Sequence, residues 1–498
     1  MMYNTQNLLR VIAITLIAAC IILPAFSKKP VGARGVVVKP PAPVLPVPSA
    51  KQLLYHQMEM NAFVHFTTNT FTDLEWGMGD ENPAIFNPQS LNVNQWTAII
   101  KQAGFKGLIL TTKHHDGFCL WPSRYTQHSV AHSPYKAGKG DIVKEVSDAC
   151  KNAGLRFGVY LSPWDRNRSD YGTPAYIEYY RNQLKELFTN YGPVFEMWFD
   201  GANGGKGYYG GANETRKINS ATYYDWPRTL NMIREIQPGV MFFSDAGPDI
   251  RWVGNERGLA GETNWNTITT DTLYAGKSGI ENLLNTGSEG GQQWVPAEVD
   301  VSIRPGWFYH AKEDSLVKSP EELFRIYLTS VGRGSNLLLN LPPDRRGLIH
   351  ENDVRSLKGF RALVDAAFKT NLASGASITV TNTRGNSVAD FGPGNMLDNQ
   401  KESYWASDDD TRTADITINL KTPTTIRYIM LQEYIKLGQR VKSFSVAVRQ
   451  GGEWRPLTTG TTIGYKCIKA FEPVMANEIR ISITDSKASP VISNIGIY

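Results

Sequence analysis

Residues 194–201, Val-Phe-Glu-Met-Trp-Phe-Asp-Gly, combine the pattern of a buried strand with a carboxylate at its end. The apolar and aromatic run before Asp200 is typical of a strand in a parallel sheet. Because α/β barrels carry their chemistry at the carboxyl ends of such strands, Asp200 is a candidate nucleophile or acid. Gly201 would let a bulky ligand approach the backbone. The alternative is that Asp200 caps the next helix or turn.

Other polar and aromatic side chains follow predicted strands in the same way. They are His65 with Glu75 and Trp76, the pair His114 and His115, Trp198 beside Asp200, and Arg251 with Trp252, Asn255 and Glu256. Hydrogen-bonding groups beside aromatic rings suit the binding of a neutral sugar. Paired histidines can also bind a metal, but neighbouring strand residues point to opposite faces, so we predict no metal here.

An alternation of apolar runs and helical stretches leads up to these residues. The predicted strands are 62–66, 107–112, 156–161, 194–200, 240–244 and 337–341, and the predicted helices are 94–103, 142–153, 175–191, 226–237 and 353–369. Such repetition predicts an α/β fold, a (β/α) barrel over residues 52–371. After residue 371, short alternating strands separated by turns predict an all-β sandwich over residues 372–498.

The N-terminus has the pattern of an export signal. An apolar run covers residues 11–26, and Ala25-Phe26-Ser27 offers a cleavage position, so we predict a signal peptide at 1–27. The run is too short for a stable membrane span, and a lipid anchor at Cys20 is the alternative. Residues 28–51, rich in Pro and Val, predict an extended linker. We therefore expect an exported protein in the periplasm or at the cell surface of a bacterium.

Composition narrows the remaining classes. With 498 residues, the chain needs two or more domains. Its net charge of +5 comes without a long basic cluster, so nucleic acid is not an expected partner. Cys119, Cys150 and Cys467 are widely spaced and predict small buried residues without a disulfide framework.

Several motifs resemble one known family. His65-Phe66, Glu75-Trp76-Gly77, the run from Lys113 to Phe118 and Trp198-Phe199-Asp200-Gly201 resemble the α-L-fucosidases of glycoside hydrolase family 29, over residues 60–369. The resemblance implies a barrel, a retaining mechanism, no metal, no cofactor, and Asp200 as the nucleophile. It also implies a fucose pocket formed by His65, Glu75, Trp76, His114, His115, Tyr160, Trp198 and Arg251.

The acid/base residue is less fixed in that family. The run from Arg251 to Glu256 resembles the branch selective for α-1,3/1,4-linked fucose, which implies Glu256, with Glu298 and Glu262 as rivals. In the Arg304-Pro-Gly-Trp-Phe run, which also matches that branch, Trp307 either faces the fucose methyl group or belongs to the core. The expected partners are fucosylated oligosaccharides or glycoconjugates. Alternatives are action on α-1,2-linked fucose or another deoxy sugar, an inactive fucose lectin, and an adhesion protein.

The C-terminal part resembles a discoidin-like, or coagulation factor type C, module. The matching motifs are Met396-Leu-Asp-Asn, Tyr404-Trp-Ala, Gln432-Glu, Gly438-Gln-Arg and Thr462-Ile-Gly-Tyr-Lys. We expect this module to support the barrel, with glycan binding secondary. Tyr404, Trp405 and Tyr465 are the candidates for an exposed stacking platform, and Trp405 is expected in the core.

Overall fold

Eight parallel strands close into a barrel in the computed structural model, which describes residues 38–498. They are β1 (Met60–Val64), β2 (Gly107–Lys113), β3 (Arg156–Leu161), β4 (Glu196–Trp198), β5 (Met241–Ser244), β6 (Ile250–Trp252), β7 (Ala297–Ser302) and β8 (Asn336–Asn340). Each strand pairs with its neighbours in chain order, and β8 closes the ring against β1. The predicted barrel is confirmed. The predicted signal peptide and Cys20 lie outside the described residues.

The helices surround this barrel or cover its amino-terminal end. They are α1 (Ala50–Met58), α2 (Val93–Gln102), α3 (Ile142–Ala153), α4 (Pro174–Asn190), α5 (Trp226–Ile236), α6 (Glu281–Thr286), α7 (Pro320–Thr329) and α8 (Glu351–Phe368), with short turns of helix at Thr68–Thr72 and Val388–Phe391. Local sequence explains their ends. Asp141 accepts the Lys144 N–H at the start of α3, and Gly154 takes the left-handed conformation that ends it.

The strand–helix alternation fails at one place. Only residues 245–249 separate β5 from β6, although the two strands run parallel. A long excursion then separates β6 from β7, and it contains α6 and a small antiparallel pair, Thr267–Ile268 with Gln293–Trp294. The sequence pattern revealed neither β6 nor β7, and the three residues of β6 are too few for a strand period.

Aromatic and aliphatic side chains fill the inside of the barrel. This inner core consists of Tyr55, Phe63, Ile109, Tyr160, Trp198, Met241, Phe243, Ile250 and Leu338. A second, larger core lies between the strands and the surrounding helices. The barrel is thus a packed support whose open end is free to carry a site.

The C-terminal domain is a seven-stranded antiparallel sheet domain with its own core. Its strands are β9 (Ser377–Val380), β10 (Trp405–Ala406), β11 (Ala414–Glu433), β12 (Val441–Gln450), β13 (Glu453–Gly460), β14 (Cys467–Ser486) and β15 (Val491–Ile497). Trp405 is fully buried and donates to Asn382 O, as expected of a core residue. The predicted change of fold class after the barrel is confirmed.

The two domains share an extensive interface. Ile468 of β14 belongs to the core that surrounds the barrel, and the His56 ring of α1 stacks on Tyr465 at 5.2 Å between centroids. The later part of the predicted linker is also packed: Val44 N–H donates to Leu437 O, and Arg440 donates to Ala42 O. From Pro40 onward the segment is therefore bound to the C-terminal domain and is not a free tether. Across residues 38–498, no helix is long and apolar enough to cross a bilayer.

Candidate active site

Four neighbouring strands deliver the predicted site residues to one end of the barrel. His65 follows β1, His114 and His115 follow β2, Tyr160 lies near the end of β3, and Asp200 comes two residues after β4. Since parallel strands of a barrel end at the same face, their side chains converge. The ring contacts confirm this convergence, with the centroids of His65 and His114 5.6 Å apart and those of His114 and Tyr160 5.8 Å apart.

The Asp200 carboxylate is held in place at the centre of this group. Its Oδ2 accepts the Tyr160 hydroxyl at 2.9 Å, and its Oδ1 accepts the Ala202 N–H at 2.7 Å. His115 Nε2 lies 3.8 Å from Oδ2. The side chain is 24% exposed, so a ligand can reach it from the open end of the barrel.

The hydrogen-bond partners of His65 and His115 show which ring nitrogen of each carries the proton. The Ser162 hydroxyl donates to Trp164 O, so it must accept from His115 Nδ1–H at 2.7 Å. Asn340 uses its amide N–H groups on Ser302 and Trp307, so its oxygen accepts from His65 Nδ1–H at 2.8 Å. Burial lowers the pKa of His65 to about 3 and that of His115 to about 4, which keeps both rings neutral. Each Nε2 is therefore an acceptor, suited to a hydroxyl group.

Aromatic rings form the walls. Trp76 is half exposed, with its ring 5.1 Å from His115 and 5.7 Å from Trp164. On the opposite side, the Trp307 ring lies 5.3 Å from His65. Trp198, almost fully buried, stacks on Tyr160 at 5.5 Å. Exposed faces beside hydroxyl acceptors suit a sugar ring.

Glu75 fixes the segment that carries Trp307. Its carboxylate accepts the backbone N–H groups of Trp307 (2.8 Å) and Phe308 (3.2 Å) and bonds to His310 Nε2 at 2.6 Å. His310 Nδ1 bonds to Asp73 at 2.8 Å. Although burial opposes protonation, the two carboxylates raise the pKa of His310. Gly306 is required, because a side chain at that position would collide with Glu75.

Glu256 stands at the rim of the same pocket. Its carboxylate accepts the Trp307 indole N–H at 3.4 Å. Glu256 is exposed to solvent as a residue, but the surrounding protein partly desolvates its carboxyl group. The negative charges of Asp200 and Glu75 also repel the ionised form of Glu256. These effects raise the pKa of Glu256 despite the opposing bond from Trp307. Such a carboxyl can hold a proton for transfer.

Arg251 is not brought to the pocket. Its guanidinium is fully buried and donates to the backbone carbonyls of Leu284, Val295 and Trp265 and to the Asn264 side chain. Burial lowers its pKa to about 9. All its partners belong to the excursion between β6 and β7, so Arg251 holds that excursion in place. The sequence placed Arg251 among the pocket residues because it lies at the end of a predicted strand. A strand pattern does not show in which direction a long side chain extends.

The two rival carboxylates also lie elsewhere. Glu262 pairs with Arg333 at 3.3 Å, and its carbonyl accepts the Thr461 hydroxyl of the C-terminal domain. Glu298 is buried inside the barrel, where it accepts Tyr55 O–H at 2.6 Å and Trp198 N–H at 3.0 Å. Of the three candidate carboxyls, Glu256 is the one that contacts the pocket residue Trp307 and whose charge Asp200 repels.

Two site groups were absent from the sequence prediction. His310 follows the Trp307 motif. Its importance lies in its contact with Glu75, which is distant in the chain, and a sequence pattern does not show such a contact. Asp245 follows β5 as Asp200 follows β4, and its Oδ2 accepts Gly276 N–H at 2.7 Å. Its carboxylate fills the space beside Gly201, so that glycine makes room for Asp245 and not for a ligand. Burial and Asp200 raise the pKa of Asp245 to about 6.

The residues after β4 close the pocket on the Trp76 side. They form a hairpin of Gly205–Gly207 with Glu214–Arg216, and Tyr209 beyond its first strand accepts the Trp164 indole N–H at 2.9 Å. Arg166 donates to Lys206 O and Gly77 O, which links the hairpin to the Trp76 segment. Within the described chain, no group of three or more His, Cys, Asp or Glu side chains could hold a metal ion. The geometry is that of a carbohydrate-active barrel enzyme with two carboxyls at an aromatic pocket.

Comparisons with known proteins agree with this class. The alpha-L-fucosidase family model matches residues 48–365, and the F5/8 type C domain model matches residues 377–495. Alpha-L-fucosidase 1 of Arabidopsis thaliana is 41% identical over 467 residues, covering 93% of this chain and 89% of the relative.

Solved structures extend the likeness to the fold. A glycoside hydrolase family 29 member from an unknown rumen bacterium is 44% identical with a TM-score of 0.82, over 92% of this chain and 78% of that one. A Ruminococcus gnavus family 29 fucosidase in complex with fucose is 36% identical with a TM-score of 0.83, over 93% and 97%. The chain belongs to the α-L-fucosidases of glycoside hydrolase family 29 and carries a C-terminal F5/8 type C domain.

Proposed function

We propose that the chain is an exported, retaining exo-α-L-fucosidase that releases terminal α-1,3/1,4-linked L-fucose, with Asp200 as nucleophile and Glu256 as acid/base. The observation that carries this proposal is the pairing of an oriented carboxylate with a carboxyl of raised pKa at one pocket. Fucose as the bound sugar is supported by the complex of the Ruminococcus gnavus relative.

In the first step, Asp200 Oδ attacks the anomeric carbon while Glu256 gives its proton to the departing glycosidic oxygen. Tyr160 O–H and Ala202 N–H hold the attacking carboxylate in one orientation, which removes part of the entropic barrier. Glu256 then takes a proton from water, which attacks the fucosyl ester, releases fucose and restores Asp200. The neutral Nε2 atoms of His65 and His115 accept sugar hydroxyls throughout.

The first experiment is turnover of aryl α-L-fucosides that differ in leaving-group pKa. Glu256→Ala is expected to slow poor leaving groups far more than good ones, because only poor ones need protonation in the first step. Glu298→Ala and Glu262→Ala are the comparisons. If Glu298→Ala gives the leaving-group pattern and Glu256→Ala does not, the acid/base assignment is wrong. An inactive wild-type protein that still binds fucose would be a lectin.

Linkage and stereochemistry need separate measurements. Proton NMR of the first product should give α-L-fucose if the mechanism is retaining, and the β-anomer would exclude the double displacement. Lewis-type trisaccharides with α-1,3/1,4-linked fucose should be hydrolysed faster than a 2′-fucosylated sugar. Equal rates would remove the branch assignment, which rests on the motif from Arg251 to Glu256.

Export is part of the proposal because of the pattern in residues 1–27. Fractionation of cells that express the full chain, with N-terminal sequencing of the mature protein, tests it. A new N-terminus near residue 28 supports ordinary cleavage. A lipid-modified Cys20 supports the anchor, and an intact Met1 in the cytoplasmic fraction contradicts both.

A further inference from the structure

Two carboxyl groups lie inside the barrel below the pocket. Glu196 begins β4, Glu298 is the second residue of β7, and both are fully buried. The reaction steps use neither of them. A buried carboxylate is costly unless donors surround it, so the pair needs a physical reason.

The two carboxyls have unequal surroundings. Glu298 accepts Tyr55 O–H at 2.6 Å and Trp198 Nε1–H at 3.0 Å. As an ionised group, Glu196 would have no donor on either oxygen. A proton on Glu196 makes one of its oxygens a donor to Glu298 and removes the second of two buried charges. Burial and repulsion by Glu298 accordingly raise the pKa of Glu196 well above its usual range.

Glu298 reaches the pocket through Trp198. The indole packs face to face on Phe243 at 4.1 Å and on Tyr160 at 5.5 Å. Tyr160 in turn donates to Asp200. Stacking alone sets the distance between the Trp198 ring and its neighbours but not its position within the plane of the ring. The hydrogen bond from Nε1 to Glu298 sets that position. An indole N–H is a donor only, so a buried one without an acceptor is unfavourable.

We propose that Glu298 is a positioning residue for Trp198 and Tyr160, and that Glu196 supports it by carrying the proton that the two carboxyls share. The inference rests on the fucosidase activity of the pocket and adds a function to a carboxylate that is not the acid/base residue. Tyr55 of α1 completes the arrangement from the amino-terminal end of the barrel, because its hydroxyl fixes the other oxygen of Glu298.

Three substitutions test the assignment on the full chain with an aryl α-L-fucoside. Glu298→Leu removes the acceptor of Trp198 and should lower kcat/KM about 10- to 100-fold, since small misplacements of pocket groups have effects of that size. Glu298→Gln keeps an acceptor oxygen and should stay within about threefold of wild type. Glu196→Gln keeps a donor and should stay within about twofold.

A double-mutant cycle separates positioning from a general effect on folding. Trp198→Phe keeps a ring but removes the N–H, and it should lower kcat/KM about tenfold by itself. In that background, Glu298→Leu should cost no further activity, because the bond that it removes is already absent. Glu433→Gln is the matched control: this buried carboxylate of the C-terminal domain accepts N–H groups of Arg440, Val441 and Gly464, so its loss should change the melting temperature and leave KM unchanged.

Other outcomes overturn the proposal. If Glu298→Leu lowers only the melting temperature, or if its effect on kcat/KM adds fully to that of Trp198→Phe, Glu298 is structural. If Glu298→Leu does not fold, the Trp198→Phe variant alone tests the proposal. Wild-type kcat and KM in Trp198→Phe would then refute the positioning role of Glu298. Fucose binding by calorimetry, run on the same proteins, repeats the cycle without turnover. If the wild-type protein shows no turnover, the proposed fucosidase function is wrong. If Trp198→Phe binds fucose with an unchanged Kd, the positioning role of Glu298 is wrong.

Discussion

Asp200 differs from the other carboxyls near the pocket in what surrounds it. Its carboxylate has an O–H donor and an N–H donor, whereas Asp245 beside it, also partly exposed, accepts a single loop N–H. Glu256 has one long bond from an indole. Our proposal assigns the nucleophile to Asp200 and the acid/base role to Glu256 because of these different surroundings.

The first prediction concerns Asp200 itself. Asp200→Ala should lower kcat on an aryl fucoside by about 10³- to 10⁶-fold, because removal of a nucleophile removes the covalent route. The melting temperature should change little, since the side chain lies at a strand end and is partly exposed. Asp245→Asn is the matched control and should keep most of the rate. A substantial residual rate in Asp200→Ala on a good leaving group would exclude Asp200 as nucleophile.

The second prediction concerns the pH profile. The Trp307 N–H stabilises the ionised form of Glu256, so Trp307→Phe should raise the pKa of Glu256 further. Since the acid form is active, the alkaline limb of kcat/KM should move to higher pH. Trp76→Phe alters the opposite wall and should change KM without moving that limb. A limb that stays in place in Trp307→Phe would mean that another group controls it.

Most of the predicted site residues follow strands that are easy to recognise, and the structure brings them together at one end of the barrel. Arg251 failed because a long side chain can turn to backbone carbonyls, as it does at Leu284 and Val295. The motif from Arg251 to Glu256 favoured Glu256 over Glu298, but only the fold shows that Glu298 is buried inside the barrel. His310 needed a contact across more than two hundred residues, which no local signal contains.

At the scale of elements, Glu75 and His310 form one of the clamps that hold the segment from Arg304 to His310. Glu75 holds two of its backbone N–H groups, and His310 bridges Glu75 and Asp73. The clamp sets the place of Trp307, which faces both His65 and Glu256. Its strength depends on the charge of one imidazole and therefore on pH.

The third prediction follows from that charge. The pKa of His310 is raised in the folded state, so the imidazolium stabilises the fold fully below its ordinary pKa of about 6.5 and the contribution is lost as pH rises through the folded pKa. His310→Gln should therefore melt below wild type near pH 6, and the difference should shrink toward pH 9. His132→Gln, at an exposed histidine, should show no such trend. A difference that grows with pH would contradict the clamp.

Element prediction succeeded for some elements and failed for others, such as helix α7, whose region was read as strand and turn. Helix α3, with a cap residue at one end and a glycine at the other, was predicted at residues 142–153 and is found there. Strand β4 was predicted too long: it covers Glu196–Trp198, Phe199 adds one N–H bond to Phe243 O, and Asp200 lies beyond it. Strand β6 was missed because its three residues gain their pairing from β5 and β7, which is tertiary information.

At the scale of the molecule, the barrel and the C-terminal domain together form one compact unit from Pro40 to Tyr498. Aromatic side chains of α7 and α8 meet the C-terminal domain, with the Phe368 ring 5.2 Å from both Tyr428 and Tyr498. Polar contacts add to this surface, as Gln439 exchanges hydrogen bonds with the backbone of Asn264 and Asn266. Removing the domain would expose an apolar face of the kind that promotes aggregation.

The fourth prediction tests whether the C-terminal domain acts chiefly as a support. Ile468 is buried against Gly332 and the barrel core, so Ile468→Ala should lower stability by about 2–5 kcal/mol and the melting temperature with it. KM for an aryl fucoside should stay unchanged, because Ile468 contacts no pocket residue. Met475→Ala, at an exposed position of the same strand β14, should leave both quantities unchanged.

A truncated chain and an isolated domain extend that test to the whole interface. A chain that ends after Thr370 should express poorly or melt lower, since Phe324 and Phe368 then lose the Tyr428 ring that packs on them. Residues 372–498 alone should bind glycans weakly or not at all, because Trp405 is buried and Tyr404 already stacks on Tyr434. A truncated barrel as stable as the full chain, together with tight glycan binding by the isolated domain, would make that domain a lectin and refute its role as a support.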